Sequence, residues 1–249
     1  MALCDFHWSS KTIGKQVGAY VIVPDAGEPP FATFYLLHGL SDDYTIWLRR
    51  TSIERYAQQY PMIIVMPDGY RGFYTNNDAG PAYATYVAEE LVAAVERTFP
   101  AKRSRASRGV GGLSMGGYGA LRLALGYPQV FASATSHSGA VLHGSRDQPR
   151  KGGSFTPAEF QRVFGANPTG TEHDVLALAQ RCKSHDVLPK IRIDCGTEDE
   201  LVADNRDLHA KLDTLSVPHE YAEFSGGHNW EYWDVHVQEA LAFHHKHLR

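Results

Sequence analysis

The sequence predicts an α/β fold in which helices cover both faces of a mainly parallel sheet. Short apolar runs alternate with amphipathic helical segments along most of the chain. Several of these runs are apolar almost throughout, which is typical of strands covered on both faces. Alternating strands and helices imply parallel strands joined by crossover helices. The length of 249 residues is ample for one large domain of this class.

Strands are predicted where short apolar runs lie between turn residues. Residues 31–37 give the clearest run, and Pro67 ends the next one. The predicted strands are residues 20–23, 31–37, 62–66, 107–113, 131–137, 190–195 and 219–224. No strand is predicted before residue 20, because we interpret only the segment that Pro24 closes as β-rich.

Helices are predicted where apolar side chains share one face at helical spacing. The clearest pattern lies in residues 83–99, where Val87, Leu91, Val95 and Phe99 recur every four residues. The predicted helices are residues 52–60, 83–99, 118–125, 158–164, 174–181, 205–215 and 230–247. Together with the strands, they give the alternation on which the fold class depends.

Residues 143–185 differ in character from the remainder of the chain. They are rich in Gly, Pro, Ser and charged residues and contain only short helical pieces. This segment is too short and too polar to form a core of its own. We therefore predict a single domain over residues 1–249, with a small insertion at about 143–185 beside the sheet.

The composition excludes several classes of function. Hydrophobic residues make up 43% and charged residues 21% of the chain, which indicates a globular protein. The net charge of −4 argues against binding to nucleic acid or to an anionic membrane surface. No window approaches the roughly 18 apolar residues of a membrane span. The N-terminus lacks a charged start followed by an apolar run, so no signal peptide is visible, although a chain trimmed of its signal would look the same.

No pattern of metal or cofactor binding is visible in the sequence. The three cysteines are Cys4, Cys182 and Cys195. They are odd in number and far apart, which fits reduced thiols in the cytoplasm and neither a zinc site nor a disulfide framework. His244, His245 and His247 lack carboxylate or cysteine companions, so we interpret them as an exposed helix end. We predict a cytoplasmic protein that needs no cofactor and no metal.

One motif carries most of the functional argument, the stretch Gly112-Leu113-Ser114-Met115-Gly116. The pattern G-x-S-x-G is typical of a nucleophile elbow, in which the serine lies on a strained strand-to-helix turn. The bare pattern occurs by chance, but here an apolar run precedes it and a helical pattern follows it, as the elbow requires. We therefore predict that Ser114 is a nucleophile.

A serine nucleophile needs a base, and in this kind of fold the chain order is serine, acid, histidine. His228 fits the base, because it follows the strand 219–224, lies among glycines and precedes the last helix. His38 is the main rival, but it precedes the serine and ends an early strand. His137 follows Ser114 but leaves no room for an intervening acid loop.

The acid should follow the strand 190–195, in the loop that contains Glu198, Asp199 and Glu200. Asp199 is our choice. Glu198 and Asp204 are the alternatives, and Asp194 is a weaker one because it lies within the strand. Considered alone, such a carboxylate would be interpreted as the N-cap of the helix that follows. The serine and the histidine in the expected order favour a catalytic role.

An oxyanion hole needs two backbone N–H groups, one from the residue after the nucleophile and one from the loop after an early strand. Met115 supplies the first. The second is assigned to Leu40, because Gly39 beside it lets the backbone turn toward the site. Both side chains are irrelevant to this role, since only the N–H groups would contact the oxyanion.

Five blocks of sequence resemble those of a known family. They are YLLHGLSDDYTIW at 35–47, VMPDGYRGFYTN at 65–76, GGLSMGGYGAL at 111–121, CGTEDELVADN at 195–205 and GGHNWEYWD at 226–234. Together they span most of the chain, which resembles the Putative esterase family of α/β-hydrolases. That family holds esterase D (S-formylglutathione hydrolase), bacterial tributyrin esterases and some feruloyl esterases, with the mycolyltransferases as relatives. The first two blocks favour the tributyrin esterase-like branch.

The resemblance implies an α/β-hydrolase fold and a serine carboxylesterase that acts on short acyl chains of small-molecule esters. The tributyrin esterase-like branch also suggests a small acyl pocket, with residues 143–185 near its mouth and not forming a large lipase lid. The resemblance assigns the catalytic triad to Ser114, Asp199 and His228, in agreement with the chain order of serine, acid and histidine. It also suggests a homo-oligomer. Trp47, Tyr118 and Trp230 are expected to bind substrate, although core packing explains each aromatic residue equally well. Further aromatic residues that fit the pocket wall are Tyr70, Phe73, Tyr74 and Trp233.

The same triad is compatible with other activities. An S-formylglutathione hydrolase-like thioesterase, a feruloyl esterase and an acyltransferase are the enzyme alternatives. A non-catalytic binding protein would keep the fold without the chemistry. The complete set of serine, acid, histidine and oxyanion glycine argues against that last interpretation.

Overall fold

The computed structural model describes residues 1–150 and 153–249. It contains an eight-stranded sheet. The strands are β1 (Ala2–Ser10), β2 (Lys15–Val23), β3 (Ala32–Leu37), β4 (Met62–Pro67), β5 (Arg108–Leu113), β6 (Ser133–His137), β7 (Lys190–Gly196) and β8 (Glu220–Phe224). Their order in the sheet is β1-β2-β4-β3-β5-β6-β7-β8. β2 pairs antiparallel with β1 and with β4, and the pairs from β4 onward are parallel. The predicted α/β-hydrolase fold is confirmed.

Helices connect the parallel strands. They are α1 (Ile46–Arg50), α2 (Ile53–Ala57), α3 (Tyr83–Thr85), α4 (Val92–Thr98), α5 (Met115–Gly126), α6 (Pro157–Phe164), α7 (Val175–Ser184), α8 (Val202–Thr214) and α9 (Trp230–His247). A π-helical segment, Tyr86–Leu91, joins α3 to α4, so the predicted helix 83–99 exists with one wider turn. No described helix combines the length and apolar character needed to cross a bilayer.

The sheet is covered on both faces, and β3 shows how its sequence achieves this. Alternate side chains of a strand point to opposite faces. Phe34 and Leu36 pack into the cluster beneath α1, α2 and α9, whereas Tyr35 and Leu37 pack into the cluster beneath α4, α5 and α7. All four side chains are buried. Every one of these positions in the continuous apolar run is therefore buried on one face of the sheet or the other, as the sequence predicts.

The first strand is a correction to the sequence analysis, which predicts no strand before residue 20. β1 lies at the sheet edge and alternates exposed with half-buried residues. Cys4, Phe6 and Trp8 form its half-buried face, and the rings of Phe6 and Trp8 stack 4.9 Å apart. Such an edge strand needs only one apolar face, so it lacks the continuous apolar run by which the central strands are recognised.

The C-terminal histidines correct a second expectation. His244 is fully buried, not exposed. It lies one turn beyond Ala240 and Leu241 on the apolar face of α9, which packs on the sheet. Its Nδ1 lies 2.7 Å from Ser133 Oγ, and its Nε2 lies 3.1 Å from Thr135 Oγ1. Burial lowers the pKa of His244 well below its usual range. His245 is exposed, as expected.

Residues 143–185 lie between β6 and β7 in the chain and contain α6 and α7 within the described part. Thr156 begins α6 with a capping box, in which its hydroxyl accepts from the Glu159 N–H while Glu159 accepts from the Thr156 N–H. Asp174 caps α7 through the N–H groups of Leu176 and Ala177. Polar residues in this segment therefore begin helices. Its status as an insertion within a single domain stays a prediction.

Candidate active site

The predicted nucleophile, Ser114, lies between β5 and α5 with φ 52° and ψ −115°. This positive φ is a strained conformation for a residue with a side chain. Gly112 and Gly116 permit the turn, because a Cβ atom on either would lie 2.6 Å from the Leu37 carbonyl oxygen. The Ser114 N–H donates to the His137 carbonyl at 2.9 Å, which holds the turn on the neighbouring strand. The elbow geometry expected from the motif is present.

Ser114, His228 and Asp199 form a connected hydrogen-bonded chain. His228 Nε2 lies 3.0 Å from Ser114 Oγ. His228 Nδ1 lies 2.9 Å from Asp199 Oδ2 and 3.1 Å from Asp199 Oδ1. A carboxylate only accepts, so Nδ1 carries the proton and Nε2 is left to accept the serine O–H. This is the arrangement that a serine nucleophile needs for its activation.

Two loops at the carboxyl ends of β7 and β8 bring the acid and the histidine together. The Thr197 N–H donates to the Phe224 carbonyl at 2.8 Å, and the Glu198 N–H donates to the Gly226 carbonyl at 3.1 Å. The Glu198 carboxylate accepts from the Gly226 N–H. Glu198, an alternative acid in the sequence analysis, thus connects the two loops, and the hydrogen bonds of His228 go to Asp199 and Ser114 instead.

The surroundings of Asp199 keep it ionised. Burial opposes the charge, but hydrogen bonding and the charge interaction with His228 outweigh it and lower the pKa of Asp199 below its usual range. The Leu201 N–H also donates to Asp199 Oδ1 at 2.7 Å. An anionic carboxylate at this place can hold the imidazole in one orientation and stabilise its protonated form.

The other carboxylates considered from sequence lie elsewhere. Asp194 is buried in β7, where it lies 2.9 Å from His137 Nδ1 and accepts from the Tyr232 hydroxyl at 3.0 Å. Asp204 accepts from Arg146 at 2.6 Å. Neither bonds to His228. The rival His137 is therefore engaged with Asp194 in the core.

The second rival histidine, His38, supports the loop that follows β3. Its Nδ1 lies 2.7 Å from the Gly39 carbonyl, and its Nε2 accepts from the Gly69 N–H at 2.9 Å. The Tyr74 hydroxyl donates to the His38 carbonyl at 3.1 Å. These contacts fix the backbone beside Leu40, a role that the sequence analysis missed. The only signal was the position of His38 directly before Gly39.

The two predicted oxyanion donors lie at the same cavity as Ser114. Leu40 and Met115 both line it. A Cβ atom on Gly39 would lie 2.6 Å from Leu113 Cδ1 and 3.8 Å from Ser114 Cβ, so the loop passes close to the elbow. Neither predicted donor N–H makes a hydrogen bond to a residue in 1–150 or 153–249. Both groups are therefore available to an oxygen in the cavity.

The cavity beside Ser114 has a volume of about 750 Å³, which is within the usual range for a small-molecule site. It is lined by Gly39, Leu40, Asp42, Arg50, Phe73, Leu113, Ser114, Met115, Ala140, His143, Arg150, Gly153, Ser154, Phe155, Glu200, Leu201, His228, Asn229, Trp230, Glu231 and Trp233. The members from 143–155 belong to the segment expected near the pocket mouth, but no motif or period in the sequence marks the individual residues that line the cavity.

The predicted substrate-binding aromatic residues divide into two groups. Trp230 lines the cavity, but Trp47 and Tyr118 are buried behind it and do not, which corrects that expectation for both. Trp47 donates to the Leu37 carbonyl and packs edge-on against Trp230, with ring centres 5.3 Å apart. Tyr118 packs against the lining residue Phe73 at 5.8 Å. Both rings therefore support residues of the cavity wall.

The remaining aromatic residues considered for the wall also divide. Phe73 and Trp233 line the cavity. Tyr74 is fully buried, and Tyr70 is exposed without being part of the lining. An aromatic residue near a site motif therefore has no fixed role, since its neighbours in space decide which way it packs.

Side chains of the kind that bind metals gather away from this cavity. Within the described residues, one group of three is close enough for a shared ion: His209, Asp213 and His219, with ligand atoms within 4.8 Å of one another. None of them lines the cavity. His209 Nδ1 already lies 2.8 Å from His219 Nε2, which a direct hydrogen bond between the two rings explains.

Comparisons with known proteins agree with this geometry. The model of the family described as "Putative esterase" matches residues 10–244. An acetyl esterase of Caldicellulosiruptor saccharolyticus is 30% identical, over 97% of each chain. The fluorophosphonate-binding serine hydrolase FphF of Staphylococcus aureus is 31% identical, with a TM-score of 0.88 over 98% of each chain.

A third similar protein is the S-formylglutathione hydrolase FrmB of Staphylococcus aureus. It is 31% identical, with a TM-score of 0.85 over 98% of each chain. None of these similarities distinguishes the tributyrin esterase-like branch, which stays a prediction. The family match covers nearly the whole chain and the similarity extends over the elbow and both loops of the site. The chain belongs to the Putative esterase family of α/β-hydrolases and is a carboxylic ester hydrolase.

Proposed function

We propose that this enzyme hydrolyses short-chain acyl esters through an acyl-enzyme on Ser114. One observation carries the proposal: His228 Nδ1 lies 2.9 Å from Asp199 Oδ2, and His228 Nε2 lies 3.0 Å from Ser114 Oγ. Ser114 and His228 both line the cavity in which an ester would bind. A base within hydrogen-bond reach of the nucleophile, itself oriented by a third group, is the requirement for nucleophilic catalysis.

In the first half of the reaction, Ser114 Oγ attacks the ester carbonyl carbon while its proton passes to His228 Nε2. Asp199 stabilises the resulting imidazolium. The carbonyl oxygen becomes negative and accepts from the N–H groups of Leu40 and Met115. The tetrahedral intermediate collapses as the bond to the alcohol oxygen breaks. His228 gives its proton to that oxygen, and the alcohol leaves.

In the second half, water replaces the alcohol. His228 takes a proton from water as the water oxygen attacks the acyl carbon. The second tetrahedral intermediate uses the same two N–H donors. Its collapse breaks the bond to Ser114 Oγ, which regains a proton from His228, and the carboxylic acid leaves. The chain's own residues therefore supply every proton transfer in this cycle.

The preference for short acyl chains rests on the cavity wall. Phe73 and Phe155 meet with ring centres 4.6 Å apart, and Phe164 lies behind Phe73 at 5.2 Å. A wall made of interlocked aromatic rings resists displacement, so it limits the length of the group that fits. The similarity to an acetyl esterase supports the same substrate size.

A fluorophosphonate probe tests the proposed nucleophile, because the reagent reacts with activated serines. The wild-type enzyme should hydrolyse p-nitrophenyl acetate with a burst and carry the label on Ser114. Ser114→Ala should stay folded, take no label and show no burst. Ser136→Ala is the matched control, since Ser136 is a buried serine on the neighbouring strand. Label on another serine, or normal turnover by Ser114→Ala, would contradict the assignment.

A thioesterase is the second candidate, supported by the 31% identity to the S-formylglutathione hydrolase. The proposed steps apply to a thioester with the thiol as leaving group. Parallel kcat/KM measurements on S-formylglutathione and p-nitrophenyl acetate decide between them. A preference of more than about 10² for the thioester would replace the carboxylesterase proposal. Feruloyl esterase and acyltransferase activities stay predictions, tested with methyl ferulate and with added alcohol acceptors.

Assembly and location belong to the same proposal. We propose a cytoplasmic homo-oligomer that binds small-molecule esters and no nucleic acid. The thiols of Cys182 and Cys195 are buried and unpaired in the described residues, and the net charge of −4 disfavours a polyanionic partner. Light scattering after size exclusion tests the oligomer. A monomer at micromolar concentration would contradict it.

A further inference from the structure

His143 lies at the cavity but takes no part in the proposed reaction. It follows β6 on a short turn, lines the same cavity as Ser114 and is only 8% exposed. Its ring stacks on that of Phe73, with centres 5.4 Å apart and planes inclined by 27°. Stacking on a ring that is itself packed in the wall leaves the imidazole little freedom to turn.

Two backbone hydrogen bonds set the position of His143 relative to the nucleophile. The Ala140 N–H donates to the Ser114 carbonyl at 2.9 Å, and the Ala140 carbonyl accepts from His143 Nδ1 at 3.1 Å. Ala140 also lines the cavity. The imidazole is thus tied through a single residue to the backbone of the elbow.

The bond to Ala140 decides which nitrogen of His143 carries the proton. A carbonyl oxygen only accepts, so Nδ1 is the donor and Nε2 of the neutral ring is an acceptor. Burial, together with the smaller effect of the Arg146 charge, lowers the pKa of His143 to about 4. The ring is therefore neutral near pH 7. The described residues offer Nε2 no hydrogen bond, and Nε2 is not among the fully enclosed polar atoms, so it is accessible at the cavity that His143 lines.

An acceptor that is fixed in the wall of a cavity beside a nucleophile, and has no partner in the described protein, can accept a hydrogen bond from a bound ligand. We propose that His143 Nε2 binds a hydroxyl group of the substrate, so that His143 is a specificity-determining residue for hydroxylated esters. The inference rests on the proposed ester hydrolysis at Ser114. The hydroxyl lies either on the acyl group or on the alcohol, and the experiment has one arm for each.

The expected difference in kcat/KM follows from the hydrogen bond that a methyl group cannot make. A substrate with a methyl in place of the hydroxyl loses the hydrogen bond and keeps water from Nε2. Sites built to bind a substrate hydroxyl reject the analogue that lacks it, because their polar group is then left unpaired. We expect this discrimination to be about ten-fold in kcat/KM for a single neutral hydrogen bond.

The test compares two pairs of esters that exchange hydroxyl for methyl. Phenyl glycolate against phenyl propionate is the acyl arm, and 2-hydroxyethyl acetate against propyl acetate is the alcohol arm. For each pair, the ratio of kcat/KM values is measured in the wild type and in His143→Phe. The difference in intrinsic reactivity between the two esters is the same for both enzymes, so it cancels when the two ratios are compared. We expect it to fall about ten-fold in one arm on removal of Nε2.

His236→Phe is the matched control. His236 is also 8% exposed and also stacks on a phenylalanine, Phe224, but it does not line the cavity. Its replacement should leave both ratios unchanged. Thermal unfolding checks that each variant folds, and His143→Leu serves if Phe does not fit. Ratios within two-fold of wild type in both arms, or an equal fall in the control, overturn the role of His143. If the wild type hydrolyses none of the four esters, the proposed function is overturned as well as the role of His143.

Discussion

His228 Nε2 lies 3.0 Å from Ser114 Oγ although 114 positions separate the two residues in the chain. The nucleophile turn depends on β5 and α5, whereas the histidine depends on the loop between β8 and α9. Asn229 begins α9 directly after the histidine, where its side chain accepts from the Tyr232 N–H at 3.0 Å. The contact therefore depends on how two loops meet at the carboxyl ends of β5 and β8, which are separated in the sheet by β6 and β7.

Asp199→Asn should lower turnover while leaving the protein folded. The amide removes the negative charge beside His228 and favours the wrong orientation of the ring. A comparable change in a serine protease costs about 10⁴ in kcat, and we expect a loss of at least about 10² here. Steady-state kinetics on p-nitrophenyl acetate measure it.

Asp204→Asn is the control for Asp199→Asn, because Asp204 ion-pairs with Arg146 and has no contact with His228. It should cost stability more than turnover. If Asp204→Asn abolished turnover while Asp199→Asn retained more than about a tenth of it, the acid would have to be reassigned.

Phe155→Ala should widen the range of acyl chains that the enzyme accepts. The wild type should work best on acetyl to butyryl esters. Removal of the Phe155 ring opens the wall beside Phe73, and each methylene that then becomes buried contributes about 0.8 kcal/mol. We expect the optimum to move to longer chains on a series of p-nitrophenyl esters. Phe243→Ala, a buried residue of α9 outside the cavity lining, should keep the wild-type profile. A wild-type peak at dodecanoyl or longer would refute the small pocket.

Glu159→Gln should weaken the attachment of α6 to the rest of the molecule. Arg71 donates to Glu159 at 2.7 and 3.3 Å and to the Ser154 carbonyl at 2.9 Å. The Arg71 guanidinium lowers the pKa of Glu159 to about 2 from its ordinary 4.5. Because the folded-state pKa is the lower one, the stabilisation is present above pH 4.5 and is lost as the pH falls toward 2.

The expected cost of Glu159→Gln at pH 7 is about 1 kcal/mol or less, since the pair is partly exposed to solvent. Urea unfolding from pH 7 down to pH 3 should show the wild-type advantage shrinking below pH 4.5. Glu54→Gln, an exposed residue of α2, provides the comparison. A difference between wild type and Glu159→Gln that grew at low pH would contradict the ion pair.

His244→Ala should destabilise the protein strongly. It removes the partners of Ser133 and Thr135 and leaves a cavity beneath α9. We expect a loss of about 2–4 kcal/mol in the free energy of unfolding. His245→Ala, at the next position but exposed, should change it by less than about 0.5 kcal/mol. Equal effects in urea titrations of the two variants would show that α9 does not pack as described.

The acid of the triad illustrates where sequence reasoning stops. Chain order selects the loop after β7, but Glu198 and Asp199 are neighbours there and both carry a carboxylate. The difference lies in the bonds that each makes, since Glu198 accepts from the Gly226 N–H while Asp199 contacts His228. Those bonds depend on how the loop after β7 meets the loop after β8, which no local pattern encodes.

The sequence by itself determined the features that depend on neighbouring residues: the glycines around Ser114, the apolar runs of the central strands and the order of serine, acid and histidine. The tertiary structure alone decided that Trp47 and Tyr118 are buried behind the cavity wall and that His143 and Phe155 line it. Backbone conformation and periodicity are local properties and leave local patterns. The lining of a cavity arises where elements distant in the chain pack together, so its members share no spacing by which the sequence could reveal them.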